Sequence, residues 1–312
     1  MRFETAGITV APWIPPLVAF VISFFTSMGG VSGAFLILPF QVSVLGFTNP
    51  SVSSTNQLFN IVAIPSGVYR YIREGRMVWP LTWVVIVGTL PGVFIGAWLR
   101  VEYLPDPRNF KLFAALVLLY IGIRLIKDLL TKKTLANAEA EKRFQEMVSR
   151  HRQNKQGGEP LAAVRVLQFS LTRIEYEFYG EKFGFPVWGI MTLSFIVGIV
   201  GGVYGIGGGA IIAPFFVTFF KLPVYTVAGA ALMGTFITSV AGVIFYQIIA
   251  PYYPGMSVAP DWMLGLLFGL GGMAGMYMGA RLQKFVPAKF IKWMLGAIIT
   301  FTALKYILEF LK

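Results

Sequence analysis

The residues able to do chemistry in this sequence are glycines and small polar side chains, not thiols, histidines or acid pairs. Two glycine-rich segments stand out. The first reads Gly29-Gly30-Val31-Ser32-Gly33-Ala34 and continues as Phe35-Leu36-Ile37-Leu38-Pro39-Phe40. The second reads Gly205-Ile206-Gly207-Gly208-Gly209-Ala210 and continues as Ile211-Ile212-Ala213-Pro214-Phe215. Placing Pro39 on Pro214 puts Gly30 on Gly205, Gly33 on Gly208 and Phe40 on Phe215, and further along Gly67 meets Gly242 and Tyr71 meets Tyr246. A helix that begins just after Gly33 or Gly208 offers free N–H groups and the positive end of its dipole. That arrangement receives anions, and glycine lets a ligand come close to the backbone. Gly30, Ser32, Gly33, Gly205, Gly207, Gly208 and Gly209 are therefore candidate binding residues. A polar cluster, Ser51-Val52-Ser53-Ser54-Thr55-Asn56-Gln57 with Asn60, follows the first segment. Its counterpart, Ala228-Gly229-Ala230-Ala231 with Thr235, Thr238 and Ser239, is much less polar. Some of these side chains only cap or back-bond a helix. Asn56, Gln57 and Asn60 are costlier to bury and are candidates for substrate contact. The side-chain part of the site is then built mainly by the first half.

The elements that must position these residues are membrane helices. Of 312 residues, 56% are hydrophobic and 13% charged, with mean hydropathy +0.70; a soluble domain averages about 25% charged. Apolar stretches at Pro12–Met28, Trp79–Leu99, Phe113–Ile126, Phe185–Tyr204, Ala228–Ala250, Trp262–Ala280 and Phe290–Phe310 approach or exceed the ~20 residues that span a bilayer. They lack the alternation of a transmembrane barrel. The fold class is thus an all-α polytopic membrane protein, with glycine-broken or re-entrant helices at its centre. Paired Gly/Pro breaks at equivalent places in two halves point to a transporter's substrate site. A packing role competes: Gly30-x-x-x-Ala34, Gly92-x-x-x-Gly96, Gly205-x-x-x-Gly209, Gly265-x-x-x-Gly269 and Gly275-x-x-x-Gly279 are small-xxx-small patterns that draw membrane helices together. Packing is the expected role late in each half; a site is the expected role of the two Gly-Gly segments.

The halves cover 1–130 and 184–312, with about five hydrophobic segments each, or three crossings if the glycine pairs are re-entrant. Their loops differ in charge. Arg70, Arg73, Glu74 and Arg76 follow the third segment of the first half, whereas Pro251–Pro260 carries no charge. The next loop mixes Arg100, Glu102, Asp106, Arg108 and Lys111, whereas its counterpart holds Arg281, Lys284, Lys289 and Lys292 and no acid. Lys and Arg stay on the cytoplasmic side, so the halves are expected to be inverted repeats with both termini outside the cytoplasm, in the cell (inner) membrane. The insert 131–183 is expected in the cytoplasm: a helix over Leu135–Gln153, a break at Gln156-Gly157-Gly158-Glu159-Pro160, then short strands near Leu167–Leu171 and Ile174–Phe178. It is either a solvated connector or a regulatory or homodimer-forming element.

Several function classes drop out. Cysteine is absent and His151 is the single histidine, which removes thiol catalysis, disulfides and histidine-rich metal sites. No acid lies mid-span: Asp128, Asp261 and Glu309 sit near ends, so neither an enzyme's carboxylate nor a proton-relay acid is evident. Neither cofactor nor metal is expected. The net charge of +12 is read as positive-inside bias, not as nucleic-acid binding. Arg124 and Lys221 are expected to snorkel to the interface.

With a glycine-rich turn, apolar run and Pro in both halves, and with Ser53-Ser54-Thr55-Asn56-Gln57-Leu58 and Ala228-Gly229-Ala230-Ala231-Leu232 after them, the sequence resembles the sulfite exporter TauE/SafE family of membrane permeases. Val31 and Ser32 depart from the glycines of the second motif. The resemblance implies transport, often outward, of sulfite, sulfonates or related small sulfur-containing anions. Alternating access about a central site is the leading expectation; a passive anion channel using the same helix N-termini is the alternative.

Overall fold

A computed structural model describes residues 1–28, 32–73, 75, 77–130, 164–178, 181–220, 222, 224–282 and 288–311. The expected Leu135–Gln153 helix lies outside the described residues. The protein is a helical membrane protein, and α5, α7, α9 and α10 below are long and apolar enough to cross a bilayer.

The first half begins with a small hairpin of β1 (Arg2–Phe3) and β2 (Ile8–Thr9), followed by α1 (Ile14–Met28), α2 (Ala34–Ser43), α3 (Ser51–Ala63), α4 (Pro65–Arg73), α5 (Trp79–Glu102) and α6 (Pro107–Leu130). Helices α1 and α2 form a hairpin with Gly33 at its tip, against Ile22, Ser23 and Thr26 of α1, and its two arms return to the same face. Asn49, beyond α2, donates from Nδ2 to the Thr5 carbonyl at 3.2 Å, in the segment before α1. In the second half, α7 (Val187–Tyr204) and α8 (Gly209–Thr218) do the same. Phe220, just past α8, packs on Gly189 in the first turn of α7. The chain then continues as α9 (Val224–Ile249), a 3-10 turn at Ala250–Tyr252, α10 (Trp262–Leu282) and α11 (Ala288–Leu311).

The two hairpins open at opposite ends of α5. Near the C-terminal end of α5, Arg100 donates to the Thr48 carbonyl at 3.3 Å, beside the first hairpin's open end. At its N-terminal end, Met77 and Tyr71 pack on Gly229, in the opening turns of α9. Those ends lie ~36 Å apart for a 24-residue helix at ~1.5 Å per residue. The helix pairing is preserved when the halves are exchanged: α1 lies on α10 as α7 lies on α5, α3 meets α10 as α9 meets α5, and α6 meets α11.

Small residues make these contacts possible. Gly92 and Gly96 face the carbonyls of Phe195 and Ile199 on α7, and Gly198 and Gly202 face those of Thr89 and Val93 on α5. Gly271, Gly275 and Gly279 lie on the Pro16, Phe20 and Phe24 carbonyls of α1 in the same way, while Gly265 and Gly269 seat Leu58 and Val62 of α3. Without a Cβ the backbones approach closely, which drives helix association where lipid gives no hydrophobic gain. Asp261 closes one end of the bundle. Its carboxylate accepts from Leu264 N at 3.0 Å, capping α10, and from Ala6 N at 3.2 Å, tying down the N-terminal hairpin.

Before α7 the chain forms an antiparallel sheet of β3 (Val164–Phe169), β4 (Arg173–Phe178) and β5 (Glu181–Pro186), in the order β3-β4-β5. The sequence pattern indicated the first two strands; β5 straddles the expected boundary between the insert and the second half. Ile174, Tyr176 and Phe178 alternate onto one buried face, and the Tyr176 hydroxyl meets Thr226 Oγ1 of α9 at 2.9 Å. Burial pushes the Tyr176 phenol above its ordinary pKa. Tyr176→Phe removes that one bond at constant shape. The expected loss is about 1 kcal/mol, read as a lowered melting midpoint, with faster proteolysis of the sheet than in the parent protein.

Candidate functional site

The most polar apolar-flanked segment becomes the most enclosed helix. Every residue of α3 from Ser51 to Asn60 is buried, because α2, α9 and α10 all pack around it. Pro50 precedes it and Pro65 opens α4 after a break at Ile64, so α3 is short and its polar face lies inside the bundle. Buried amides seek partners, and the amide N–H groups of Asn56 and Asn60 find them on the glycine tips.

Asn56 Nδ2 donates to the Ala34 carbonyl at 3.1 Å and to the Gly205 carbonyl at 3.0 Å, bridging the two tips. Asn60 Nδ2 donates to the Ile206 carbonyl at 3.1 Å and to Ser239 Oγ at 3.4 Å, and its Oδ1 accepts from Ser32 Oγ at 2.9 Å. Ser53 Oγ donates to the Val203 carbonyl at 2.9 Å, and the Tyr204 hydroxyl donates to the Phe35 carbonyl at 3.0 Å. One helix of the first half thus holds both hairpin tips together.

The second tip needs its glycines. Gly205 has φ +79° and Gly207 φ +60°, a left-handed geometry that side chains resist. A Cβ on Gly205 would strike the Ser53 carbonyl; one on Gly207 would come 2.9 Å from Thr235 Cγ2 and 3.0 Å from Ser239 Oγ. Gly208 and Gly33 are the N-cap residues of α8 and α2, and neither offers a side-chain cap. Gly209 is the first residue of α8. At the first tip Ser32 Oγ accepts from Ala34 N at 3.3 Å.

Among the described residues several buried polar atoms have no hydrogen-bond partner: Ser23 Oγ, Asn56 Oδ1 and both amide atoms of Gln57, and, farther along α2, both amide atoms of Gln41. Ser23 Oγ lies 2.8 Å from where a Cβ on Gly33 would sit, with Thr26 Oγ1 at 3.4 Å. Gln57 lies on Gly242 of α9, with its amide where a Cβ would be. Each such group costs about 1–3 kcal/mol when left unmade, so they mark places where a ligand's polar atoms gain most.

Of the sequence candidates, Ser32, Gly33, Asn56, Asn60, Gly205, Gly207 and Gly208 come together at the tips. Gly209 follows directly, Gln57 faces α9, and Gly30 lies outside the described residues. The sequence reading missed Ser23, Thr26 and Gln41, whose types are ordinary in membrane helices, and Thr89, whose methyl meets Gly208 at 2.9 Å from a Cβ position. It also placed Arg100 in a charged loop. Arg100 has no exposed surface. Its guanidinium donates to Ser53 Oγ at 3.3 Å, to the Thr48 carbonyl and to the Leu104 carbonyl, and it stacks 3.8 Å from the Phe110 ring centroid. Its neighbours in sequence, Glu102 and Asp106, are charged and exposed, which is why it read as a loop residue.

The family model described as sulfite exporter TauE/SafE matches residues 16–306. A probable membrane transporter protein of Bacillus subtilis, YunE, is 22% identical over 290 residues, 91% of this chain and 92% of that one. A second from the same organism, YdhB, is 26% identical over 115 residues, 37% of this chain and 44% of the relative's length. No solved structure matches the chain.

Proposed function

The chain belongs to the sulfite exporter TauE/SafE family and is a membrane transporter, and on that premise we propose that its cargo is sulfite, a sulfonate or a related small sulfur-containing anion. The observation that carries the reading is the buried, unpaired polar atoms Ser23 Oγ, by the tips, and the Gln57 amide, against α9, in a bundle core where two helices start at glycine N-caps. Ser23 O–H and the Gln57 amide N–H groups are donors, and the dipoles of α2 and α8 favour negative charge. The halves act as inverted repeats that rock about α3, which supports alternating access; the opposed hairpins and the exchangeable helix pairing favour this. The face bearing the sheet and Arg73 is the cytoplasmic one by the positive-inside rule, and the termini lie on the other.

Reconstituted protein should exchange labelled sulfite or a small sulfonate across the vesicle wall. Gly208→Leu should reduce the flux to background while the protein still expresses and inserts, since the new side chain drives into Thr89 and covers the start of α8. Parent-like flux in that variant would remove the glycine tips from the site. A ligand present at 100 times its Kd should stabilise the parent by about 2.7 kcal/mol, and Gly208→Leu should lose that shift. Accumulation of the anion against its gradient under an imposed proton gradient distinguishes a coupled carrier from a passive channel.

A further inference from the structure

The turn between β3 and β4 carries two large apolar residues that the described residues leave uncovered. Phe169 is 68% exposed and Leu171 81%. The fold fixes where this turn sits. Arg173 pairs with Pro186 across β4 and β5, and the Thr172 carbonyl accepts from Val187 N, the first residue of α7, at 3.0 Å. Because Val187–Tyr204 is long and apolar enough to cross a bilayer, the β3–β4 turn is held at the level where α7 enters the membrane. Trp188, one residue into α7, is 64% exposed, as expected of an aromatic residue in the interfacial belt. The opposite end of the sheet, at Lys182, lies four residues along β5 from Pro186, ~13 Å away at ~3.3 Å per residue.

Charge fits the same partner. Arg173 opens β4 at the apolar tip and is exposed, beside its ion-pair partner Glu175 at 2.9 Å, and long basic side chains reach headgroup phosphates while apolar neighbours enter the acyl boundary. β3 is the edge strand, and from Arg165 to Phe169 it is exposed on both faces; its register shifts at Leu167. Such a shift bends an edge strand and blunts further strand pairing, which argues against a second copy of the chain as the occupant. We propose that the β3–β4 turn is a membrane anchor: Phe169 and Leu171 insert into the leaflet beside α7, with Arg173 at the level of the phosphates. The anchor fixes the insert to the bilayer at the point where the second half begins, and it is independent of which anion is carried.

The absence of cysteine allows a direct test. Leu171→Cys and, as the distal reference, Lys182→Cys each take one environment-sensitive fluorophore in the full chain in anionic-lipid vesicles. The expected result is a blue-shifted label at 171, quenched at least several-fold more by nitroxide lipids than the label at 182 and shielded from aqueous iodide. Equal lipid quenching at the two sites, or a label at 171 open to iodide, would overturn the proposal. So would efficient cross-linking of Leu171→Cys to a second copy, which would assign the tip to a dimer. Phe169→Ser with Leu171→Ser should leave the melting midpoint in detergent unchanged and lower it in vesicles; the same drop in both media would mean a packing role and overturn the anchor.

Discussion

Gly205→Ala is expected to unfold the second hairpin tip and abolish transport. Gly205 ends α7 at φ +79°, where an L residue pays roughly 1–2 kcal/mol. The larger effect is the collision, because the added methyl meets the Ser53 backbone rather than a yielding side chain. Ser53 is fixed by Val203 and Arg100, so α3 and α7 would have to separate, losing the Asn56 and Asn60 bonds to Gly205 and Ile206 with them. A loss above about 4 kcal/mol is expected, the range kept for strained or overpacked positions. Gly46→Ala is the control: its φ is +72°, but nothing lies within 4 Å of the new methyl, so only the conformational cost of roughly 1–2 kcal/mol should appear. Denaturant or thermal melting of the two variants side by side checks this; similar losses would show that the approach of α3 to α7 is not what requires glycine.

Asn60→Leu is expected to have the second largest effect. The side chain serves Ile206, Ser239 and Ser32 at once. Leucine is close in volume, so the deletion acts through three orphaned polar groups at about 1–3 kcal/mol each. Asn60→Asp separates stability from ligand chemistry. It keeps an acceptor for Ser32 and adds a negative charge at the tips, so anion affinity should fall by more than the melting midpoint predicts. Combining Asn60→Leu with Asn56→Leu should cost less than the sum of the two, because both hold the same glycine turn. Full additivity in melting experiments would mean that the tips are held independently.

Much of the architecture was legible because a bilayer admits few backbone solutions. Apolar runs without alternation can only be helices there, and glycines repeated at helical spacing can only pack backbones closely or break helices. The register of Gly33 with Gly208 located the N-caps of α2 and α8, and the period-two pattern near Leu167 and Ile174 located two strands. Arg100 was misplaced for a definite reason. Sequence neighbours report the local environment, whereas the guanidinium is received by Thr48, fifty-odd residues earlier, and by Ser53 on another helix.

By itself, the sequence determined a helical membrane protein, and it carries two glycine segments in matching register with the polar side chains concentrated after the first. Only the tertiary structure decided what that polarity does. Asn56 and Asn60 spend their donors on the carbonyls of both tips, while Ser23, Gln57 and Asn56 Oδ1 remain unmatched. Composition fixes how many donors and acceptors a helix carries, but whether each is satisfied depends on the distance and direction of groups some 150 residues away. The division between atoms that hold the hairpins and atoms left for a ligand is therefore a property of the packed bundle.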